Sequence, residues 1–255
     1  MLKKRAQYRI GIDMGERHLF AIVCDRPETA PVLVPNTLTA GTMRGFAAVG
    51  GHGEAVLASV RRHVHARCSY LIGLCAEWGV KSIAVGNRAI KNPFKVTYGS
   101  LTGNPLLNLD IQILSTLRFE CALSHIDVEI VDEAFTTQKD ALALEKLRPV
   151  PYGREKQSRG STGLHGRTYR SRNGETLDRD INAAINIGRL VFGDDFARPI
   201  IRSRLWKKPV RAAFPEEDRA AAPCLLARRS NWTGTNLLFP RSAVLEMAPA
   251  SLSIN

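Results

Sequence analysis

Carboxylates occur in this chain at three places where a strand or helix should begin or end. Asp13 lies in RIGIDMG, Asp132 and Glu133 close DVEIVDE, and Asp178 and Asp180 open the run LDRDINAAINI. Acids distributed in this way suit two-metal phosphodiester chemistry. Two divalent ions roughly 4 Å apart need several carboxylate oxygens, one of them bridging, to activate water on one side of phosphorus and stabilise the leaving 3′ oxygen on the other. An oxygen donor set with open water positions favours Mg2+ or Mn2+. Taken singly, each acid has a plainer role: Asp13 as a turn residue, Glu133 as a loop residue, Asp180 as a helix N-cap. Their joint placement is what favours a metal site.

The elements that must position these acids follow from periodicity. Tyr8, Ile10 and Ile12 alternate with Arg9, Gly11 and Asp13, so a strand at the start of the chain carries Asp13 on the face opposite the isoleucines. HLFAIVCD is its hairpin partner, and VLVPNTLTA is a third strand candidate. Val56, Val60, Val64, Cys68, Leu71, Cys75 and Trp78 then recur three or four apart, which predicts a long helix whose other face carries Arg61, Arg62, His63 and Arg67. VKSIAVG (80–86) reads as a buried parallel strand, and 87–104 as a loop rich in Gly, Asn and basic residues. A second helix is expected at about 105–126, with Pro105 in its first turn, then a strand at 127–132. Asp178 or Asp180 caps a third helix whose face includes Ile181, Ile185, Gly188 and Leu190 or Val191. This order implies an α/β fold, a mixed sheet with helices against it, opening as ribonuclease-H-like sheets do.

Between 135 and 177 periodicity disappears, and Arg154, Lys156, Arg159, Arg167, Arg170 and Arg172 accumulate among glycines. The segment reads as a mobile basic loop that tracks phosphates, with a solvated linker as the equal alternative. Beyond Phe192 the scattered Pro, Arg and Ala suggest an irregular basic tail over 193–255, with room for a short helix near 216–228. The main domain is therefore 1–192.

Composition narrows the partners. The 36 Lys and Arg against 24 Asp and Glu give a formal charge of +12, which favours a polyanion, nucleic acid above all. Five cysteines, an odd number without a CxxC pair, suggest neither a disulfide framework nor zinc; they should be reduced and mostly buried. The sequence contains no run of eighteen uncharged apolar residues, so no membrane span is expected, and the chain should be cytoplasmic.

DRDINAAINI (178–187) closely resembles the third RuvC motif of the TnpB (OrfB) nucleases of insertion sequences, relatives of the type V CRISPR effectors, and GIDMG resembles their first. AVGNRAIK (84–91), VDEAFTTQKD (131–140) and HGRTYRSRNG (165–174) are similar to one TnpB branch, so the resemblance spans about residues 8–192. It implies a RuvC-like sheet and a Mg2+-dependent DNA endonuclease, RNA-guided in the full-length family, with Asp13 and Asp180 as catalytic metal ligands. Most relatives end the strand equivalent to 82–86 with a glutamate, where this chain has Gly86; the similar branch takes the acid from the next strand, which points to Glu133. Alternation puts Asp132 and Glu133 on opposite faces and leaves the choice between them open, while Asp178 is a further ligand or a cap. Asn182 and Asn186 should fix the helix against the site. Two features depart from the family: the zinc ribbon is absent, and the first motif lies so near the start that the catalytic half alone is expected, without the N-terminal guide-binding modules. The competing expectation is a catalytically silent nucleic-acid-binding remnant. A third, an actin-like phosphotransferase, would need a second glycine-rich phosphate loop, and VDEAFTTQKD has no glycine.

Overall fold

The structure, a computed structural model, describes residues 7–15, 17–37, 54–87, 105–133, 136–147, 161–162 and 167–214. Strands β1 (Tyr8–Asp13) and β2 (His18–Cys24) form the expected hairpin, with Ile12 opposite Ile22 and Asp13 opposite Ala21. Strand β3 (Val32–Pro35) pairs antiparallel with β2. Helix α1 (Glu54–Trp78) leads to β4 (Val80–Asn87), parallel to β1, and helix α2 (Pro105–Leu123) leads to β5 (Asp127–Asp132), parallel to β4. The resulting order β5-β4-β1-β2-β3 is the ribonuclease-H-like mixed sheet read from the sequence. No helix of the described residues is long and apolar enough to cross a membrane.

The two faces of the sheet differ in chemistry. Ile10 and Ile12 pack with Val60, Val64, Cys68 and Leu71 of α1 and Leu117 and Cys121 of α2. Each such aliphatic side chain contributes about 1.5–3 kcal/mol by leaving water. The opposite face meets helix α3 (Arg179–Phe192). A Cβ on Gly11 would stand 2.3 Å from the Ala184 carbonyl oxygen, so glycine is what lets the backbones of β1 and α3 touch. By alternation Asp13 shares that face with Gly11.

Three expectations are corrected. His63 and Arg67 are buried rather than solvated: His63 Nδ1 and an Arg67 amino group both meet the Thr37 hydroxyl, and the guanidinium lies 4.1 Å from the Phe214 ring centroid. Their spacing explains this, since 60, 63, 64, 67 and 71 share one helical face. The supposed loop at 135–177 contains order. Residues 136–147 form turns around fully buried Asp140, and β6 (Ser161–Thr162), β7 (Thr168–Arg170) and β8 (Thr176–Asp178) form a three-stranded antiparallel sheet. Asp140 accepts from the Ser171 hydroxyl (2.8 and 2.9 Å), the Arg172 amide (2.7 Å) and the Ala143 amide (3.1 Å), and so ties the two stretches together. The tail begins later than 193. Helix α4 (Asp194–Ser203) buries Phe196, Ala197 and Ile200, a 3₁₀ turn follows at Leu205–Lys207, and β9 (Val210–Arg211) adds to the sheet parallel to β3. Pro199 inside α4 hides that helix from a periodicity reading. The remainder, 215–255, and the helix expected near 216–228 lie outside the described residues.

Candidate metal centre

The sequence brings α3 to the sheet with two built-in stops. Asp178, in extended conformation, accepts from the Asp180 amide at 2.8 Å and so caps the helix start. Gly193, at φ 75°, closes the other end with its amide on the Arg189 carbonyl at 3.0 Å. The cap fixes Asp180 in the first turn, beside the hairpin. Gly15 donates to the His18 carbonyl at 2.9 Å, and this tight turn sets His18 at the start of β2. His18 is buried, and its Nδ1 donates to Asp180 Oδ2 at 2.9 Å. Burial pushes the Asp180 carboxyl up, but the hydrogen bond and charge of His18, with the Arg179 guanidinium, outweigh it and hold the group below its ordinary range.

Ligand atoms of His18, Asp178 and Asp180 lie within 4.8 Å of one another, a spacing that could hold a cation. Sequence reasoning found both aspartates and missed His18. Its signal was available: a hairpin returning directly after Asp13 must put the first residues of β2 beside the end of β1.

Asp13, 7% exposed, ends β1 outside that group. Glu133 reaches the same face from the far side. Val85 of β4 pairs with Ile12, which sets Gly86 beside Asp13, and Gly86 pairs in turn with Val131 of β5. A Cβ on Gly86 would stand 2.8 Å from Glu133 Oε2 and 3.1 Å from its Cβ, so the Glu133 side chain lies over Gly86. The Glu133 carbonyl accepts from the Thr136 amide at 3.1 Å and hydroxyl at 2.8 Å. Asp132, the last residue of β5, is exposed.

The two asparagines of α3 hold this segment in place. Asn182 and Asn186 each donate to the Thr136 and Lys139 carbonyls, and Asn182 Oδ1 accepts from the Ala141 amide at 3.1 Å. Buried Arg189 donates to Asn186 Oδ1 at 2.7 Å, to the Glu145 carbonyl at 2.9 Å and to Asp194 at 2.8 Å. The asparagines thus clamp the turn that follows Glu133 onto the helix that carries Asp180. The carboxylate oxygens of Asp178 and Asp180 are donors that suit a hard divalent cation, and glycine at 86 leaves room for the side chains of Ile187 and Glu133, which would stand 2.5 and 2.8 Å from a Cβ there.

Of the basic residues singled out, Arg167, Arg170 and Arg172 are exposed, and Arg172 pairs with Glu145 at 3.1 Å. Arg154, Lys156 and Arg159 lie outside the described residues. The four described cysteines are free and buried. Burial pushes the thiols of Cys24, Cys68 and Cys121 up to about 12.

Residues 112–187 match the family model described as Cas12f1-like, TNB domain. Over that stretch the chain is related to the TnpB and type V effector proteins. The match contains Glu133, Asp178 and Asp180 and ends with the last residue of DRDINAAINI; Asp13 precedes it. Among solved structures, the chain is similar at 12% identity to one titled as a Cas12f1-sgRNA-target DNA complex, with a TM-score of 0.47. The similarity covers 70% of this chain and 49% of that one, so the chain spans about half the length of that relative. No curated protein sequence matches.

Proposed function

We propose that this chain is a RuvC-like, divalent-metal-dependent phosphodiesterase that cleaves DNA. The observation that carries the reading is the position of the acids: Asp13 ends the central strand, Glu133 leans over Gly86 beside it, and Asp180 sits in the first turn of the helix packed on the same face. These three are the proposed catalytic carboxylates, and Asp178 is a further oxygen donor beside Asp180. Two bound Mg2+ or Mn2+ ions would supply an activated water and stabilise the leaving 3′ oxygen. The chain's own residues prepare the site. His18 fixes the orientation of Asp180 through Nδ1, and the Asn182 and Asn186 clamp restrains the turn behind Glu133.

The proposed substrate is single-stranded or unwound DNA, in a cytoplasmic setting. A guide RNA, the recognition partner in the full-length family, is proposed on the strength of the relationship in 112–187; in such complexes base pairing reads sequence and the protein grips the backbone. Gly86 favours a second reading, a silent nucleic-acid binder, because most relatives have their glutamate there; the position of Glu133 argues against it. The test is cleavage of a labelled single-stranded DNA with Mg2+ or Mn2+. Activity abolished by Asp13→Ala and by Asp180→Ala supports the nuclease, whereas DNA binding without cleavage by the unaltered chain supports the silent binder.

A further inference from the structure

Away from the candidate metal centre, a pocket of about 310 Å³ opens where the C-terminal end of α1 meets the turn between β2 and β3 and strand β9. Val32, Leu74, Trp78 and Val210 give it apolar walls, and Tyr70 adds a half-buried aromatic ring with a hydroxyl. Three charged groups line the same pocket. Arg26 pairs with Glu28 at 3.5 Å and lies 5.7 Å from the Tyr8 ring centroid, so these two charges offset each other. Glu77 is exposed, and among the described residues its carboxylate forms no ion pair or hydrogen bond. Its charge reaches Tyr70, whose hydroxyl is pushed up by burial first and by Glu77 second. Glu77 also stands in the last turn of α1, which carries no basic residue, so the negative pole of the helix adds to the carboxylate. A chain of formal charge +12 thus keeps an unmatched negative spot beside an aromatic and apolar pocket.

A phosphate would be repelled there. A divalent ion would find too few oxygens, since Glu28 and Glu77 belong to no metal-spaced group of three among the described residues. A guanidinium meets each requirement, because it pairs with a carboxylate, lies on aromatic rings and brings an apolar stem. The same side of the sheet already holds one in this way: Arg67 lies 4.1 Å from the Phe214 ring centroid, and that ring is 5.3 Å from Tyr70. The surroundings favour an arginine carried by a polypeptide. Val210, 52% exposed, is a large apolar side chain that a protein surface would cover, and β9 is the outermost strand at this edge, beside which an extended segment can lie. We propose that this pocket receives an arginine side chain of a protein partner, with the guanidinium at Glu77 and the stem against Leu74 and Val210.

The test is 19F NMR of the full chain labelled with 5-fluorotryptophan and titrated with N-acetyl-arginine amide, which presents the side chain between two amides as a polypeptide does. The Trp78 resonance, assigned by its loss in Trp78→Phe, should shift saturably, while that of Trp206, buried in the other apolar cluster, should not move. Glu77→Gln should weaken binding about fivefold, and added salt should weaken it in the unaltered chain. Glu129→Gln, which removes an exposed acid at the opposite edge of the sheet, should leave it unchanged. An equal loss in Glu129→Gln would reduce the effect to net charge, and an equal shift with the neutral N-acetyl-citrulline amide would reduce it to apolar contact; either overturns the proposal. The same shift with Mg2+ alone, tighter binding of 1,4-diaminobutane, or no shift at all would also overturn it, the first two by assigning the pocket to a metal or to a free polyamine. Cleavage plays no part in the measurement, so the proposal stands or falls apart from the phosphodiesterase reading.

Discussion

The face of the sheet under α1 and α2 and the face under α3 are built on different principles. The first is mainly an aliphatic and thiol core, in which side chains at helical or strand spacing meet and almost any one can be named from periodicity. The second has an apolar cluster of its own around Ile181, Ile185, Phe196 and Trp206, but along one edge it is held by two side-chain amides and a guanidinium that bond to backbone more than forty residues away. Chemistry needs charges held in place, and charges can be held only where every neighbour is satisfied. On the second face, hydrogen bonds to the turn after Glu133 are added to apolar contact, and they hold that turn against the helix that carries Asp180.

Substitutions on the two faces should therefore fail in different ways. The largest effect is expected at Gly86→Ala, where the new methyl would meet both Glu133 and Ile187. Cleavage should fall to background while stability drops by about 1–3 kcal/mol, measured by urea unfolding beside a DNA cleavage assay. Leu71→Ala, fully buried on the first face, should cost about 2–5 kcal/mol yet leave activity per folded molecule unchanged. Asn186→Ala inverts that pattern: about 1–3 kcal/mol of stability, with a loss of activity beyond what unfolding explains, because the turn behind Glu133 is loosened. If both variants lose activity only in proportion to their unfolded fraction, the distinction between the faces is wrong.

Smaller effects sharpen the contrast. Cys24, Cys68 and Cys121, on the first face with thiols near 12, should resist alkylation in the native chain at mildly alkaline pH and react once it is denatured; mass spectrometry would show which. On the second face, Asp180 titrates below its unfolded value, so its contribution to stability is complete above about pH 4 and fades as pH falls through the folded value. Metal-free acid unfolding of Asp180→Asn should lack that part of the decline.

The same contrast decides what the sequence could reveal. β1 to β5 and α1 to α3 were legible because each puts apolar residues at a fixed period, and the acids were legible because each ends an element. Arg67 is harder to place, because its charge argues for solvent while its helical position turns it inward, where Phe214 covers it. Asp140 and α4 went unread because one works through single hydrogen bonds to distant turns and the other contains Pro199. His18 needed the hairpin to be followed in space.

The measurement that bears most directly on this account is metal-dependent cleavage by Glu133→Gln beside Asp132→Asn, with DNA binding recorded for both. Glu133 over Gly86 as the missing acid predicts that Glu133→Gln binds DNA and does not cleave it, while Asp132→Asn cleaves normally. Full activity in Glu133→Gln, or its loss only in Asp132→Asn, would contradict the assignment.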